Sequence, residues 1–355
     1  MKILYVITGL GMGGAENVVK NLSNHFKNEG CHIKIVYFTG ENVIFKGEEP
    51  FEIVKLNIHS IFSLFSAFYK FRNIIIDFEP DVIHSHMVHA NIFCRLVRLF
   101  CSCKRLISTA HSSNEGGRIR MLAYRLTHRL SDVTTNVSTF AVKEFESKFA
   151  APKNHILAIP NGVDVEYFKP NRTHAFSRKY NKINIVSVGR LELVKDYPTI
   201  LKALRVVKEK NGCFHLSIVG DGTERKNLEL LVRKLGLSDD VSFLGIRKDL
   251  PEILNNSDLF IMTSKYEGFG LVIAEAMACG LPVITTDNGG ATEIINDNEN
   301  IIQVGDHYSL AEKIIHFYGL STIEKEAIGN LNRGKIVNKY TTEIMYAKYT
   351  QLYKG

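Results

Sequence analysis

The chain has 355 residues, 45% of them hydrophobic, and a formal net charge of +7. At about 100–200 residues per domain this length asks for two cores, and the apolar content is enough to build them. No run of 18 apolar residues is present, which excludes a transmembrane helix. The six cysteines are scattered, mostly in apolar surroundings, without zinc-site spacing, so they read as reduced structural thiols in a cytoplasmic chain.

Residues 2–8 form an apolar run that reads as a buried strand and not as a signal peptide, because no small-x-small cleavage site comes cleanly after it. Gly9, Gly11 and Gly14 then turn the chain into a helix through residues 15–26. That spacing formally matches a dinucleotide fingerprint, but the acidic residue that should end the next strand is displaced: Glu41 lies three residues beyond Phe38. The better reading is that Gly13 and Gly14 let backbone amides approach a phosphate. Further strands are expected at 32–38, 53–56, 81–86, 105–109, 133–137 and 156–159, with helical patterns between most of them. The pattern is that of a doubly wound α/β domain. His111 comes directly after a strand end, where it can face a cleft and hydrogen-bond a sugar. His84, His86 and His89 form a second group with no role beyond lining an acceptor side.

Between residues 90 and 130 the charge is one-sided. Arg95, Arg98, Lys104, Arg105, Arg118, Arg120, Arg125 and Arg129 face Glu115 as the one acidic residue. Leu96, Val97, Leu99, Phe100, Met121, Leu122 and Leu126 are interleaved with them, and the aromatic-rich stretch 61–72 precedes them. This pattern predicts a patch that docks on an anionic membrane face. Sparse stacking residues and the lack of a recognition motif argue against nucleic acid. Two ordinary helices with a solvated basic side are the bland alternative.

Residues 160–164 are turn chemistry and 169–182 read as an interdomain linker. A second series of strands is expected at 183–188, 214–219, 241–244, 259–262 and 282–286. Arg190 and Lys195 emerge where the first of these ends, at the carboxyl edge of the sheet, where open α/β sheets bind ligands. A planar guanidinium fork beside a point charge suits a diphosphate. The stretch from Leu259 to Gly280 reads as a strand, a turn through Gly268 and Gly270, and a short helix at 271–278 that is apolar almost all round and so buried. Glu275 sits inside that helix without a basic neighbour within a turn; a ligand with two adjacent hydroxyls, such as a ribose, would satisfy it. Glu267 lies just before the same helix, whose free N–H groups make an anion site. There is no Asp-x-Asp and no metal-spaced His/Cys cluster, so a departing diphosphate would be neutralised by Arg190, Lys195 and the helix start near Gly270. The Tyr-rich end of the chain reads as a helix packing back on the first half.

Together these residues resemble the family-4 retaining glycosyltransferases of GT-B fold, over nearly the whole chain. The matching pieces are Gly13 to Glu16, His111, 160–164, Gly189-Arg190 with Lys195, 219–222, 243–245, and Glu267 with Glu275 eight positions apart. The resemblance implies two Rossmann-like domains, an acceptor-binding one at 1–168 completed by a helix at 338–355 and a donor-binding one at 183–335. It further implies that Arg190 and Lys195 hold the diphosphate and Glu275 the ribose. Glu267, Gly268 and the amides of Phe269, Gly270 and Leu271 approach the donor sugar and phosphates, His111 touches the sugar, Gly14 the phosphate, and the base sits near Ile246 and Arg247. Retention at the anomeric carbon without a metal cofactor is implied too. So is a role in extending a lipid-linked surface polysaccharide at the inner face of a bacterial membrane, with UDP as the expected nucleotide and GDP open. Two other functions compete: a nicotinamide-dependent sugar-nucleotide epimerase or dehydrogenase using the first glycine loop, and a sugar-nucleotide-binding protein without catalysis.

Overall fold

A computed structural model describes residues 1–45, 50–113, 115–171, 182–295 and 298–355. Most of the expected linker, residues 172–181, lies outside the described residues. The chain forms two compact units, Met1–Gly162 with Thr342–Gly355, and Val163–Thr341. The break falls at Gly162 and not after residue 168, because 163–168 are tied to the second unit. The Val163 N–H donates to the Tyr340 carbonyl at 2.8 Å, and Arg333 donates to the carbonyls of Phe168 and Val165.

Among the described residues the first unit holds seven parallel strands: β1 (Lys2–Ile7), β2 (His32–Tyr37), β3 (Glu52–Lys55), β4 (Val82–His86), β5 (Leu106–Ala110), β6 (Val133–Asn136) and β7 (Ile156–Ala158). Their order is β3-β2-β1-β4-β5-β6-β7. β1 lies inside the sheet, with Ile3 opposite Ile33 on one side and Val82 on the other. Burial on both faces is why its sequence is a continuous apolar run. The helices are α1 (Gly14–Asn28), α2 (Ile61–Phe78), α3 (Val88–Val97), α4 (Gly117–Thr127) and α5 (Thr139–Ser147). α1 buries Val18, Val19, Leu22 and Phe26, the spacing of one helix face.

The second unit has β8 (Ile183–Val188), β9 (Phe214–Val219), β10 (Val241–Gly245), β11 (Leu259–Met262), β12 (Val283–Thr286) and β13 (Ile301–Ile302), in the order β10-β9-β8-β11-β12-β13. Its helices are α6 (Tyr197–Glu209), α7 (Arg225–Lys234), α8 (Leu250–Asn255), α9 (Leu271–Ala278), α10 (Gly290–Ile295), α11 (His307–Gly319) and α12 (Thr322–Lys339). β13 is too short for periodicity to reveal. The last helix, α13 (Thr342–Lys354), starts later than the sequence suggests and packs Met345, Tyr349 and Tyr353 into the core of the first unit.

Candidate active site

In each sheet the strand order reverses beside the first strand, and open α/β sheets bind ligands outside the carboxyl ends at that point. In the second unit the reversal falls between β8 and β11, which are neighbours. The loops leaving these two strands therefore meet. Lys195 ends a short 3-10 turn, Leu193–Lys195, held down by the end of β11. The Lys265 N–H donates to the Val194 carbonyl at 2.8 Å, and the Thr263 hydroxyl donates to the carbonyls of Lys195 (3.2 Å) and Asp196 (2.9 Å). The Lys195 Nζ then reaches Glu267 Oε1 at 2.5 Å, both side chains being mostly buried.

Arg190 comes after β8 and is exposed, with no ion pair or side-chain hydrogen bond among the described residues. Its loop lies against the one after β9, where the Leu191 N–H donates to the Asp221 carbonyl at 3.0 Å. That approach requires glycine, since a side chain on Gly220 or Gly222 would strike the main chain of Gly189 or Leu191.

Glu267 is anchored on its far side by the loop after β12: its N–H donates to the Asn288 carbonyl and its own carbonyl accepts from the Gly290 N–H, each at 3.2 Å. Gly290 lies so close to Gly268 and Phe269 that a methyl group there would collide with their main chain. Phe269 is buried against Tyr340, ring centroids 5.6 Å apart. Gly270, at φ 89°, opens α9, and among the described residues no side chain caps that helix. Glu267 is taken up by its pairing with Lys195 and does not cap it; the N–H groups of Ile273 and Ala274 donate to the Gly270 carbonyl, and those of Leu271 and Val272 are left for an anion.

Glu275 is partly buried in α9 and its carboxyl has no hydrogen bond or ion pair among the described residues. Burial pushes its pKa up to about 8. One turn on, burial and the neighbouring Glu275 push the Cys279 thiol up to about 12. At the end of β10, Ile246 is exposed, while Arg247 is clamped by Asp249 at 2.5 and 2.8 Å. Among the described residues no group of three or more His, Cys, Asp or Glu side chains could hold a metal ion.

Gly13, Gly14 and His111 stand in the first unit. The Glu16 carboxylate turns back over Gly13, 2.6 Å from where a Cβ there would sit, whereas Gly14 has open space around it. His111 comes after β5; burial lowers its pKa to about 3. Its Nε2 lies 2.9 Å from Nδ1 of His86. His84 is structural: its Nδ1 meets the Tyr353 hydroxyl at 2.6 Å and its Nε2 meets Thr109 Oγ1 at 2.7 Å. The sequence signal for this cluster is His-x-His on a buried strand, which puts both rings on one face, 4.0 Å apart.

The basic window is not one surface. Arg95 is 0% exposed, correcting its place in the patch. Its guanidinium donates to Ser108 and Thr134 and stands 5.1 Å from the Tyr124 ring centroid, and burial lowers its pKa to about 10. Arg98 is paired with Asp132 at 2.7 Å and Lys104 with Asp81 at 2.6 Å, so both are neutralised, and Arg105 is half-buried. Arg118, Arg120, Arg125 and Arg129 are exposed on or beside α4, next to Ile119 (85% exposed), Leu122 (57%) and Leu126 (74%). The surface patch therefore shrinks to α4 and its flank. On α2, Phe62, Phe65 and Tyr69 are exposed at the spacing of one helix face. No described helix is long and apolar enough to cross a membrane.

Residues 12–167 match the glycosyltransferase family 4 description, and residues 171–331 match glycosyl transferases group 1. Among curated proteins, the N-acetyl-alpha-D-glucosaminyl L-malate synthase of Bacillus anthracis is 28% identical over 292 residues, covering 77% of this chain and 74% of that protein. A protein of Escherichia coli named as a colanic acid biosynthesis glycosyltransferase is 24% identical over 290 residues, covering 78% and 70%. Among solved structures, Anabaena Alr3699/HepE, in complex with UDP and glucose, superposes with a TM-score of 0.86 at 20% identity over 100% of both chains. With the two matched segments spanning most of the sequence and both units Rossmann-like, the chain belongs to the family-4 glycosyltransferases of GT-B fold.

Proposed function

We propose that this glycosyltransferase moves a hexose or N-acetylhexosamine from a nucleotide sugar, UDP-linked, to a glycan acceptor carried on a lipid, with retention at the anomeric carbon and without a metal cofactor. The reading makes it a polysaccharide-building enzyme at the inner face of the cell membrane. The observation that carries it is the Lys195–Glu267 contact at 2.5 Å beside the unpaired Arg190. In this reading the bond from the anomeric carbon to the diphosphate breaks, and the charge developing on the leaving oxygen is met by Arg190, Lys195 and the first N–H groups of α9. The acceptor hydroxyl adds to the same face of the sugar, and its proton passes to the leaving phosphate. Glu275 accepts the ribose hydroxyls, Glu267 holds Lys195 in place at the donor sugar, and His111 contacts that sugar. The base lies beside Ile246, with the Arg247–Asp249 pair at its edge.

The UDP in the complex with Anabaena Alr3699/HepE supports the nucleotide. The colanic acid relative supports a glycan acceptor. The malate named for the Bacillus anthracis relative would need no membrane, whereas the exposed basic and apolar face of α4 favours an acceptor held there. The direct test is thermal stabilisation by UDP together with sugar transfer. Lys195→Ala and Glu275→Ala should each lose about 100-fold or more in turnover with unchanged circular dichroism. Full activity in either variant would remove the site assignment.

A further inference from the structure

The part played by the neighbours of His111 rests on the proposed function, in which that residue stands against the donor sugar. Two contacts hold His111. Its main-chain N–H donates to Glu115 Oε1 at 2.8 Å, and Glu115 Oε2 accepts from the Tyr124 hydroxyl at 2.5 Å. Asn91 Nδ2 in turn donates to the Tyr124 oxygen at 2.9 Å, fixing the ring from α3. The second contact is ring to ring, His111 Nε2 to His86 Nδ1 at 2.9 Å, with His86 fully buried at the end of β4. Among the described residues His86 Nε2 and His111 Nδ1 are buried without a hydrogen-bond partner. A buried, unpaired ring nitrogen calls for an explanation.

Burial holds both imidazoles neutral, so the 2.9 Å contact contains one proton. If it sits on His86, then His111 keeps its own proton on Nδ1 and donates there. If it sits on His111 Nε2, then His111 Nδ1 is an acceptor. The two tautomers are thus coupled: whether the free nitrogen of His111 donates or accepts depends on which ring carries the shared proton.

We infer that His86 and Glu115 are positioning residues for the transfer reaction, His86 fixing the tautomer and plane of the His111 ring and Glu115 fixing the main chain that carries it. Neither touches the donor. Supports of this kind matter because a displacement of about 1 Å at a reacting site can cost around 100-fold.

The test uses the full-length protein and pairs of equally polar variants. In His86→Asn the amide stands where Nδ1 was; in His86→Gln it moves towards the place of Nε2, away from His111. Glu115→Gln keeps an oxygen to accept from the His111 N–H and turns an amide N–H towards the Tyr124 oxygen; Glu115→Asp withdraws the carboxylate by one methylene. Nitrogen-15 spectra of the His111 ring should show one tautomer in wild type and His86→Asn, and a mixture in His86→Gln. Hydrolysis of whichever of UDP-glucose, UDP-galactose and UDP-N-acetylglucosamine the wild type turns over should keep its KM in all four variants. Its kcat should stay near wild type in the Asn and Gln members at 86 and 115 respectively, and fall by up to about 100-fold in His86→Gln and Glu115→Asp. Identical ring spectra in the two His86 variants, or equal kcat within both pairs, would overturn the inference. Failure of UDP to stabilise the wild type would instead strike the nucleotide-sugar reading, while the spectra still decide the role of His86.

Discussion

In the proposed reading, Glu275 is the residue that should make donor binding depend on pH. Its proton is held to about pH 8 in the folded chain, against 4.5 for an unperturbed carboxyl, because burial disfavours the charge. The folded protein therefore keeps a proton that the unfolded chain gives up, and stability without ligand falls as pH rises from about 4.5 to about 8, being fully present below that window. Ribose hydroxyls would favour the carboxylate, so UDP binding should release a proton and tighten as pH rises towards 8. Calorimetry in buffers of different ionisation enthalpy, with thermal melts across the same range, measures both trends. Glu275→Gln should flatten them; a Gln variant with the wild-type pH profile would assign the dependence elsewhere. Arg95 shows the opposite treatment of a buried ionic group, its guanidinium surrounded by hydroxyls of Ser108 and Thr134 and the face of Tyr124.

At the level of elements, α13 is the piece whose loss should be most visible. The Tyr353 hydroxyl meets His84 Nδ1 at 2.6 Å and the Tyr5 hydroxyl at 3.2 Å, in a fully buried setting. Tyr353→Phe leaves a ring nitrogen without its partner and should destabilise the protein by about 1–3 kcal/mol in urea unfolding, the usual cost of an orphaned buried polar group. No change in the midpoint would mean that His84 finds another partner. The parallel strands are legible in the chain because burial on both faces writes itself as runs such as Ile3 to Ile7 and Leu259 to Met262. The meeting of Lys195 and Glu267 is legible only as a shared sheet edge; their contact depends on β8 and β11 being neighbours, a fact of strand order that local pattern does not record. Arg95 is misread for the same reason. Its partner at Thr134 lies 39 residues away, and charge density along a sequence says nothing of which side chains the fold turns inward. The role of His86 escapes sequence reasoning because a buried histidine on a strand is ordinary until its ring is seen against that of His111.

For the whole molecule, the net charge of +7 matters through where the unpaired cations lie. Arg118, Arg125 and Arg129 stand out from α4 and its end beside Ile119, Leu122 and Leu126, and α2 adds Phe62 and Tyr69 on the same unit. Basic residues at an anionic lipid surface contribute roughly 1 kcal/mol each. Changing Arg118, Arg120, Arg125 and Arg129 together to Gln should therefore weaken co-sedimentation with vesicles rich in anionic lipid by at least about tenfold, with the remainder insensitive to salt. Unaltered binding would make this face an ordinary solvated one. The return of Thr342–Gly355 to the opening unit also orders events during synthesis. The sheet around β1 is made before Val163–Thr341, and the tyrosines that seal it are made only after that segment. A nascent chain therefore carries that lobe without its sealing helix for as long as Val163–Thr341 is being made.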